Sequence, residues 1–268
     1  MENNSFENNS QNNNFNDEYS SASSLVYGKN AVTEMLKSGA AVDTIFISET
    51  LNEPQAAYYA ALAKDAGAVV KRVHPAKLKG MCQTDANQGV ALYAATIDYV
   101  SLDDLLNIAK TKNEVPFIIL ADGVEDPHNL GAIIRSALLF GAHGVVIPKR
   151  NGAQVTPIVH KTSAGASTIL PIARVANIGE AVRTLKEKNV FVYCADMGAV
   201  PLYKQNLTGA IAIVMGNEGK GVSHLVKTLC DGVVTIPMAT MNTEVDSYNV
   251  SVAAGITMYE ILRQRAAQ

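Results

Sequence analysis

Apolar positions follow two periodicities along the chain, and together they predict an α/β protein. In the first third, helical spacing at 28–37 and 54–64 is interleaved with strand-like runs at 44–48, 69–73 and 89–93. Beyond it, strands are predicted at 116–121, 144–147, 168–172, 190–194, 210–215 and 233–237. Helices are predicted between them at 129–140, 157–164, 178–188, 222–229 and 249–265. This alternation predicts a parallel sheet with helices on both faces.

The same patterns divide the chain into four parts. Residues 1–24 hold eight Asn and six Ser, and we expect a disordered tail there because they offer little apolar area to a core. Residues 25–95 predict a small α/β domain, and residues 96–114 a linker that contains a helical stretch at 102–110. Residues 115–268 predict the larger α/β domain.

Composition excludes several classes of protein. The longest apolar stretches, 115–121 and 209–215, are far shorter than the roughly 18 residues of a membrane-spanning helix. No secretory signal is expected at the N-terminus, and three scattered cysteines make no disulfide framework, so we expect a cytoplasmic protein. The tail carries four acids and no base, so the net charge of −3 becomes +1 without it, which neither requires nor forbids an RNA partner.

Three loops at the predicted carboxyl ends of strands carry the polar and glycine residues, at 122–131, 216–221 and 238–249. Ligands of parallel sheets bind at that edge. In the first loop Asn129 is a candidate helix N-cap. Arg135 follows in an apolar helix whose faces are expected to be mostly buried, so it needs a partner, either a structural salt bridge or a phosphate or carboxylate ligand.

The second loop contains Gly216, Gly219 and Gly221 around Glu218. Its spacing matches neither the phosphate-binding G-x-x-x-x-G-K-[ST] pattern nor the dinucleotide G-x-G-x-x-G pattern. Glu218 would repel phosphate and suits a ligand with hydroxyl groups or an ammonium. The alternative is an ordinary tight turn between a strand and a helix.

The third loop ends in Asp246-Ser-Tyr-Asn-Val-Ser-Val-Ala-Ala-Gly, a polar cluster that opens a helix of small residues. Ser247 or Asn249 is a candidate cap, and the small residues allow close packing at a dimer interface or a ligand. The five histidines lack metal-ligand spacing, so no metal is expected. No G-x-S-x-G hydrolase motif is present.

Taken together, the three loops resemble the signature motifs of the SpoU (TrmH-type) RNA 2′-O-ribose methyltransferases. The matching segments begin at Asp126 (Asp-Pro-His-Asn-Leu-Gly-Ala-Ile-Ile-Arg-Ser-Ala), Val214 (Val-Met-Gly-Asn-Glu-Gly-Lys-Gly), Ile236 (Ile-Pro-Met) and Ser247 (Ser-Tyr-Asn-Val-Ser-Val-Ala). The segment that begins at Tyr27 (Tyr-Gly-Lys-Asn-Ala-Val) is similar to the ribosomal-protein-like substrate domain of the branch that methylates a guanosine ribose of 23S rRNA.

The resemblance implies a C-terminal α/β trefoil-knot (SPOUT) domain, a small N-terminal RNA-binding domain, and a homodimer. It also implies S-adenosylmethionine as methyl donor, bent in the knot against backbone groups of the second and third motifs. The implied cofactor-binding residues are Gly216, Ile236, Met238 and Tyr248.

For the chemistry, the resemblance implies Arg135 at the reacting centre, with the site shaped by Asn129, Glu218, Ser247 and Asn249. Because the pKa of arginine lies above about 12, we favour phosphate binding and stabilisation of the developing alkoxide over a base role. Two features depart from the family pattern: Tyr248 stands where leucine is typical, and 239–246 is long and acidic. The alternatives are a transfer-RNA substrate and a knotted RNA-binding protein without catalysis.

Overall fold

The computed structural model describes residues 25–95, 97–239 and 247–267. These residues form two compact units, one reaching to Asp98 and including Val155–Pro157, the other comprising Tyr99–Gln154 and the chain from Ile158 onward. No helix in the described part of the chain is long and apolar enough to cross a membrane. The expected disordered tail, residues 1–24, lies outside the described residues.

The N-terminal unit is a four-stranded sheet with three helices. Its strands are β1 (Leu25–Tyr27), β2 (Val42–Ser48), β3 (Val69–Val73) and β4 (Val90–Ala94), in the order β1-β4-β2-β3. Its helices are α1 (Lys29–Lys37), α2 (Glu53–Asp65) and α3 (Pro75–Cys82). The sequence pattern missed β1, which has only three residues, and α3, which begins at a proline after the capping side chain of His74.

The C-terminal unit is a six-stranded parallel sheet, as the continuous apolar strands predict. The strands are β5 (Phe117–Ala121), β6 (Gly144–Pro148), β7 (Ile172–Val175), β8 (Phe191–Pro201), β9 (Ile211–Met215) and β10 (Gly232–Thr235). Their order is β10-β8-β9-β5-β6-β7. The helices are α4 (Leu102–Lys112), α5 (Pro127–Leu139), α6 (Pro157–Thr162), α7 (Ile178–Glu187), α8 (His224–Leu229) and α9 (Val250–Ala266).

Two elements of this unit differ from prediction. The strand expected at 168–172 begins only at Ile172, because Ala166–Thr168 form a short 3-10 turn after Gly165, whose φ is +83°. The stretch expected as linker is also different, since α4 packs in the C-terminal core through the fully buried Leu105, beside Ile118 and Leu120. Residues 102–112 therefore belong to the larger unit.

Helices cover this sheet through buried apolar side chains. One core cluster joins α4, α7 and α8 to the strands and includes Val182, Leu185 and Val226. Outside this cluster, helix α5 packs against helix α9. Since parallel strands point the same way, the loops after β5, β8, β9 and β10 leave one edge of the sheet together.

Candidate active site

The loops after β5 and β9 are tied together by Asn217. Its side-chain Nδ2 donates to the Gly123 carbonyl at 2.9 Å, and its Oδ1 accepts from the backbone N–H groups of Gly219 and Lys220 at 3.0 and 3.1 Å. Asp122 adds a second link by accepting from the Ser223 N–H at 2.8 Å. The two loops therefore form one rigid rim at the sheet edge.

Gly216 marks the closest approach of backbone within this rim. A Cβ at residue 216 would lie 2.2 Å from the Gly221 carbonyl carbon and 2.3 Å from the Val222 nitrogen. Asn217 and Gly221 exchange two backbone hydrogen bonds of 2.9 and 2.8 Å, which close the loop into a tight turn. Residue 216 must therefore be glycine for steric reasons alone, since no positive φ is involved.

A cavity of about 540 Å³ opens beside this turn. Residues from the middle of β8, from the ends of β9 and β10, from the turn after β9 and from the start of α9 line it. Its lining comprises Ala195, Asp196, Met197, Met215, Gly216, Asn217, Glu218, Gly219, Lys220, Gly221, Val234, Thr235, Ile236, Ser247, Tyr248, Val250 and Ala253. A volume of this size suits a small-molecule ligand, for which pockets span about 300–1,000 Å³.

Three of the four residues expected to bind the cofactor line the cavity. These are Gly216, Ile236 and Tyr248, whereas Met238 is not among the lining residues. The Tyr248 hydroxyl donates to the Pro237 carbonyl at 3.2 Å, which links the two ends of the third loop. Residues 240–246, the centre of the long acidic stretch, lie outside the described residues.

Glu218 is the centre of a hydrogen-bonded cluster that unites all three loops. Its Oε1 accepts from Asn129 Nδ2 at 2.7 Å and from Asn249 Nδ2 at 2.6 Å. Asn249 Nδ2 also donates to Asn129 Oδ1 at 3.1 Å. Four of the five residues expected in the catalytic set therefore lie together, since Ser247 shares the cavity lining with Glu218.

Helix caps fix two members of this cluster. Asn249 is the N-cap of α9, and its Oδ1 accepts from the backbone N–H groups of Ser251 and Val252 at 3.0 and 3.3 Å. The N-cap of α5 is Asp126, which accepts from the His128 N–H at 2.9 Å and, through Oδ2, from Asn129 Nδ2 at 3.1 Å. The expectation that Asn129 caps this helix is wrong, because the helix begins at Pro127 and places Asn129 in its first turn.

Arg135 is placed differently from the sequence-based expectation. It is exposed on α5, on the face opposite the buried Ile133, Ile134 and Ala137. In the described part of the chain it has neither an ion pair nor a hydrogen bond, so the expected structural salt bridge is absent. Arg135 does not line the cavity. A free guanidinium on the surface is accessible to a ligand approaching from solvent.

The sequence reasoning missed Asp196 and Lys227. Asp196 lies in β8 and lines the cavity, and Lys227 on α8 binds it with Nζ 2.7 Å from Asp196 Oδ2. This hydrogen bond raises the pKa of Lys227 above its ordinary value. The sequence did contain a signal for Asp196, since it is an acid that follows the apolar run 190–194 at the predicted carboxyl edge of the sheet. Among the described residues, no group of three or more His, Cys, Asp or Glu is placed to hold a metal ion.

Comparison with known proteins identifies the family of both units. Residues 116–259 match the SpoU rRNA Methylase family, and residues 25–100 match the family described as RNA 2′-O ribose methyltransferase substrate binding. A Bacillus subtilis (strain 168) protein named as a TrmH family tRNA/rRNA methyltransferase, YacO, is 43% identical over 242 residues, which cover 90% of this chain and 95% of that protein.

Solved structures agree in fold. The SpoU methyltransferase AviRb from Streptomyces viridochromogenes, in complex with AdoMet, superposes with a TM-score of 0.59 at 24% identity, over 97% of this chain and 100% of that one. An RNA 2′-O ribose methyltransferase gives a TM-score of 0.51 at 28% identity, over 90% and 88% of the two chains. With its substrate-binding domain and its α/β trefoil-knot domain, this chain belongs to the SpoU family of S-adenosylmethionine-dependent RNA methyltransferases.

Proposed function

We propose that this protein transfers the methyl group of S-adenosylmethionine to a guanosine ribose 2′-hydroxyl of 23S rRNA. The observation that supports ribosomal RNA is the match of residues 116–259 to the SpoU rRNA Methylase family, and the N-terminal unit, which matches a 2′-O-ribose substrate-binding family, supports an RNA ribose as substrate. Such a module is suited to grip a structured RNA element. A transfer RNA is the second candidate, because the Bacillus subtilis relative is named for both RNA classes.

The cavity suits the proposed cofactor. It is lined by the backbone of the 216–221 turn, by apolar side chains including Ile236 and Val234, and by polar side chains from β8, the turn and the third loop. The missing Cβ at Gly216 lets two backbone segments pack within contact distance and expose their polar groups to a ligand. Gly216, Ile236 and Tyr248 would hold the cofactor, which supplies an electrophilic sulfonium methyl when bound.

The protein's own groups would align the attacking ribose and support loss of its proton. Glu218, held by Asn129 and Asn249, presents its second oxygen Oε2 without a hydrogen-bond partner among the described residues. This oxygen is available to accept a ribose hydroxyl and so orient it. Ser247, in the same cavity lining, adds a hydroxyl to this rim. Alignment of nucleophile and methyl is the main requirement of an in-line displacement.

Arg135 would bind the RNA phosphate next to the reacting nucleotide. Arg135 is exposed and has no ion pair or hydrogen bond with the described residues, which leaves its planar guanidinium free for bidentate contact with phosphate oxygens. The same charge would stabilise the alkoxide that develops on the ribose. Its position outside the cavity lining agrees with a contact to RNA rather than to the cofactor.

A homodimer is part of the proposal. The packed pair α5 and α9 leaves large apolar side chains on its outer surface, with Leu139 73% exposed and Val252, Tyr259 and Leu262 also exposed. The ring of Tyr259 on α9 lies 6.5 Å, centroid to centroid, from that of Phe140 at the end of α5, which joins the two helices on this surface. A second copy covering this patch explains it, and light scattering of Tyr259→Arg should then report a monomer.

The test is transfer of labelled methyl to deproteinised large-subunit rRNA. We expect labelling at ribose by the wild type and a loss of about 100-fold or more with Arg135→Ala. Labelling of transfer RNA instead would establish the second candidate. Binding of cofactor without labelling of either RNA would refute the RNA assignment. If the protein neither bound the cofactor nor labelled RNA, the knotted RNA-binding protein without catalysis would be favoured.

If Arg135→Lys kept most of kcat but lost RNA affinity, the alkoxide role would be wrong and phosphate docking alone correct. Lys110→Ala is the matched control, because Lys110 is an exposed cation on α4 of the same unit and does not line the cavity.

A further inference from the structure

Asp196 is an acid of the cavity lining that the proposed chemistry does not use. It lies in β8, two residues beyond the fully buried Cys194, and its side chain is 21% exposed. The other acid of the lining, Glu218, is held by two asparagine amides at the rim. A partly buried carboxylate in a ligand cavity requires favourable contacts, since burial disfavours its charge.

Lys227 meets that requirement and fixes the carboxylate. Its Nζ lies 2.7 Å from Asp196 Oδ2, and the backbone N–H of Met197 donates to Asp196 Oδ1 at 2.7 Å. Among the described residues each carboxylate oxygen thus has one donor, while an ionised carboxylate offers about four acceptor sites. Two acceptor sites remain, one on each oxygen.

The 216–221 turn covers the same carboxylate from one side. A Cβ on Gly221, which has φ +67°, would lie 3.6 Å from each Asp196 oxygen. The carboxylate therefore sits in contact distance of the turn, held by α8 on one side and facing the cavity. This is an oriented acceptor rather than a mobile surface acid.

The charge balance of the pair selects the kind of ligand group. Asp196 and Lys227 together carry no net charge, so the pair attracts an ammonium or sulfonium only weakly. It accepts neutral hydroxyl donors well, because hydrogen bonds to a carboxylate are stronger than those between neutral groups. A ribose diol supplies two adjacent hydroxyl donors, which matches the two free acceptor sites.

We propose that Asp196 binds the ribose hydroxyls of S-adenosylmethionine and that Lys227 is the positioning residue that holds its carboxylate for them. This inference rests on the proposed assignment of the cavity as the cofactor site. It adds a specificity-determining residue outside the three signature loops.

The test compares two ligands that share the ribose. S-adenosylhomocysteine carries the amino-acid group, whereas 5′-methylthioadenosine lacks it. We expect calorimetry to show that Asp196→Asn weakens both ligands equally, by about tenfold. Asp231→Asn is the matched control, since Asp231 forms an ion pair with Lys186 in the same domain, has 26% side-chain exposure and does not line the cavity. It should leave both affinities unchanged.

A loss of affinity for S-adenosylhomocysteine alone would place the carboxylate against the amino-acid group and overturn the ribose assignment. Unchanged binding of both ligands to Asp196→Asn would overturn the inference altogether while leaving the cofactor site intact. If the wild type bound neither ligand, the cavity assignment itself would fail. The melting temperature of each variant identifies effects that come from misfolding.

Lys227→Gln separates positioning from general structural support. Without Lys227 the carboxylate keeps its negative charge unbalanced, so the cationic S-adenosylmethionine should gain over neutral S-adenosylhomocysteine by roughly threefold in the ratio of affinities. A merely structural lysine would change both affinities by the same factor. An unchanged ratio would therefore remove Lys227 from the proposal.

Discussion

Gly216→Ala tests whether the tight backbone approach at the 216–221 turn builds the cavity. The new Cβ would lie 2.2, 2.3 and 2.6 Å from three backbone atoms of residues 221 and 222, whereas ordinary contacts are 3.4 Å or longer. Backbone cannot rotate away as a side chain can, so the two segments must separate by about 1 Å. That movement breaks the paired hydrogen bonds between Asn217 and Gly221, now 2.9 and 2.8 Å long.

The expected cost follows from these contacts. Two backbone hydrogen bonds contribute about 1 kcal/mol each, and overpacking adds about 1–3 kcal/mol. We expect the free energy of unfolding of the C-terminal domain to fall by about 3–5 kcal/mol, a decrease in melting temperature of about 6–20 °C. Affinity for S-adenosylhomocysteine should fall by at least about tenfold, because the moved backbone lines the cavity.

Gly219→Ala is the matched control in the same turn. Its Cβ would meet only Asn217 Oδ1, at an ordinary 3.7 Å, and its φ is not positive. This variant should fold as the wild type does, with an unchanged melting temperature. Calorimetric unfolding and titration measure both variants. If Gly216→Ala melted within 2 °C of the wild type and bound the ligand equally well, the steric reasoning would be refuted.

Three further predictions concern other parts of the molecule. Buried His143 accepts from the Phe117 N–H through Nδ1 and contacts Glu114 through Nε2. Burial lowers the pKa of its imidazole, so the folded state binds the proton less well than the unfolded state does. The contribution of His143 to the free energy of unfolding should be complete above about pH 6.5 and should be lost as the pH falls below that value. His143→Gln should flatten this pH dependence of the free energy of unfolding, as measured by urea titrations. Glu218→Ala removes the acceptor shared by two asparagine amides and should cost about 1–2 kcal/mol in urea unfolding, whereas Lys220→Ala should cost nothing measurable. Deletion of residues 1–24 should leave melting temperature and methyl transfer nearly unchanged, and a marked loss of either would show that the tail contributes.

The sequence predicts the parallel sheet well because its strands are continuous apolar runs. It also predicts that Gly216, Glu218 and Asn249 share one edge, since each follows a strand or opens a helix there. The trefoil knot and the family came from the resemblance of motifs, because periodicity carries no information on how one loop threads another. The short β1 and the cap that begins α3 are set by only a few residues and were missed.

The position of Arg135 shows the limit of composition as a guide to burial. Apolar residues surround it in sequence, yet the 100° step of a helix places Ile133, Ile134 and Ala137 inward and Arg135 outward. Asp196 was missed for the opposite reason. Its role depends on Lys227, 31 residues further along the chain, and spacing of that kind has no periodic signature.

Asn249 makes assembly of the site depend on the order of synthesis. One end of its amide caps the last helix and the other binds Glu218, which is bound in turn by Asn129 from 120 residues earlier. A growing chain therefore lacks a complete cluster until α9 has left the ribosome and folded, although the sheet strands are all made by then. Chains that stop short of this helix would retain the N-terminal unit and the sheet strands without the complete Glu218 cluster.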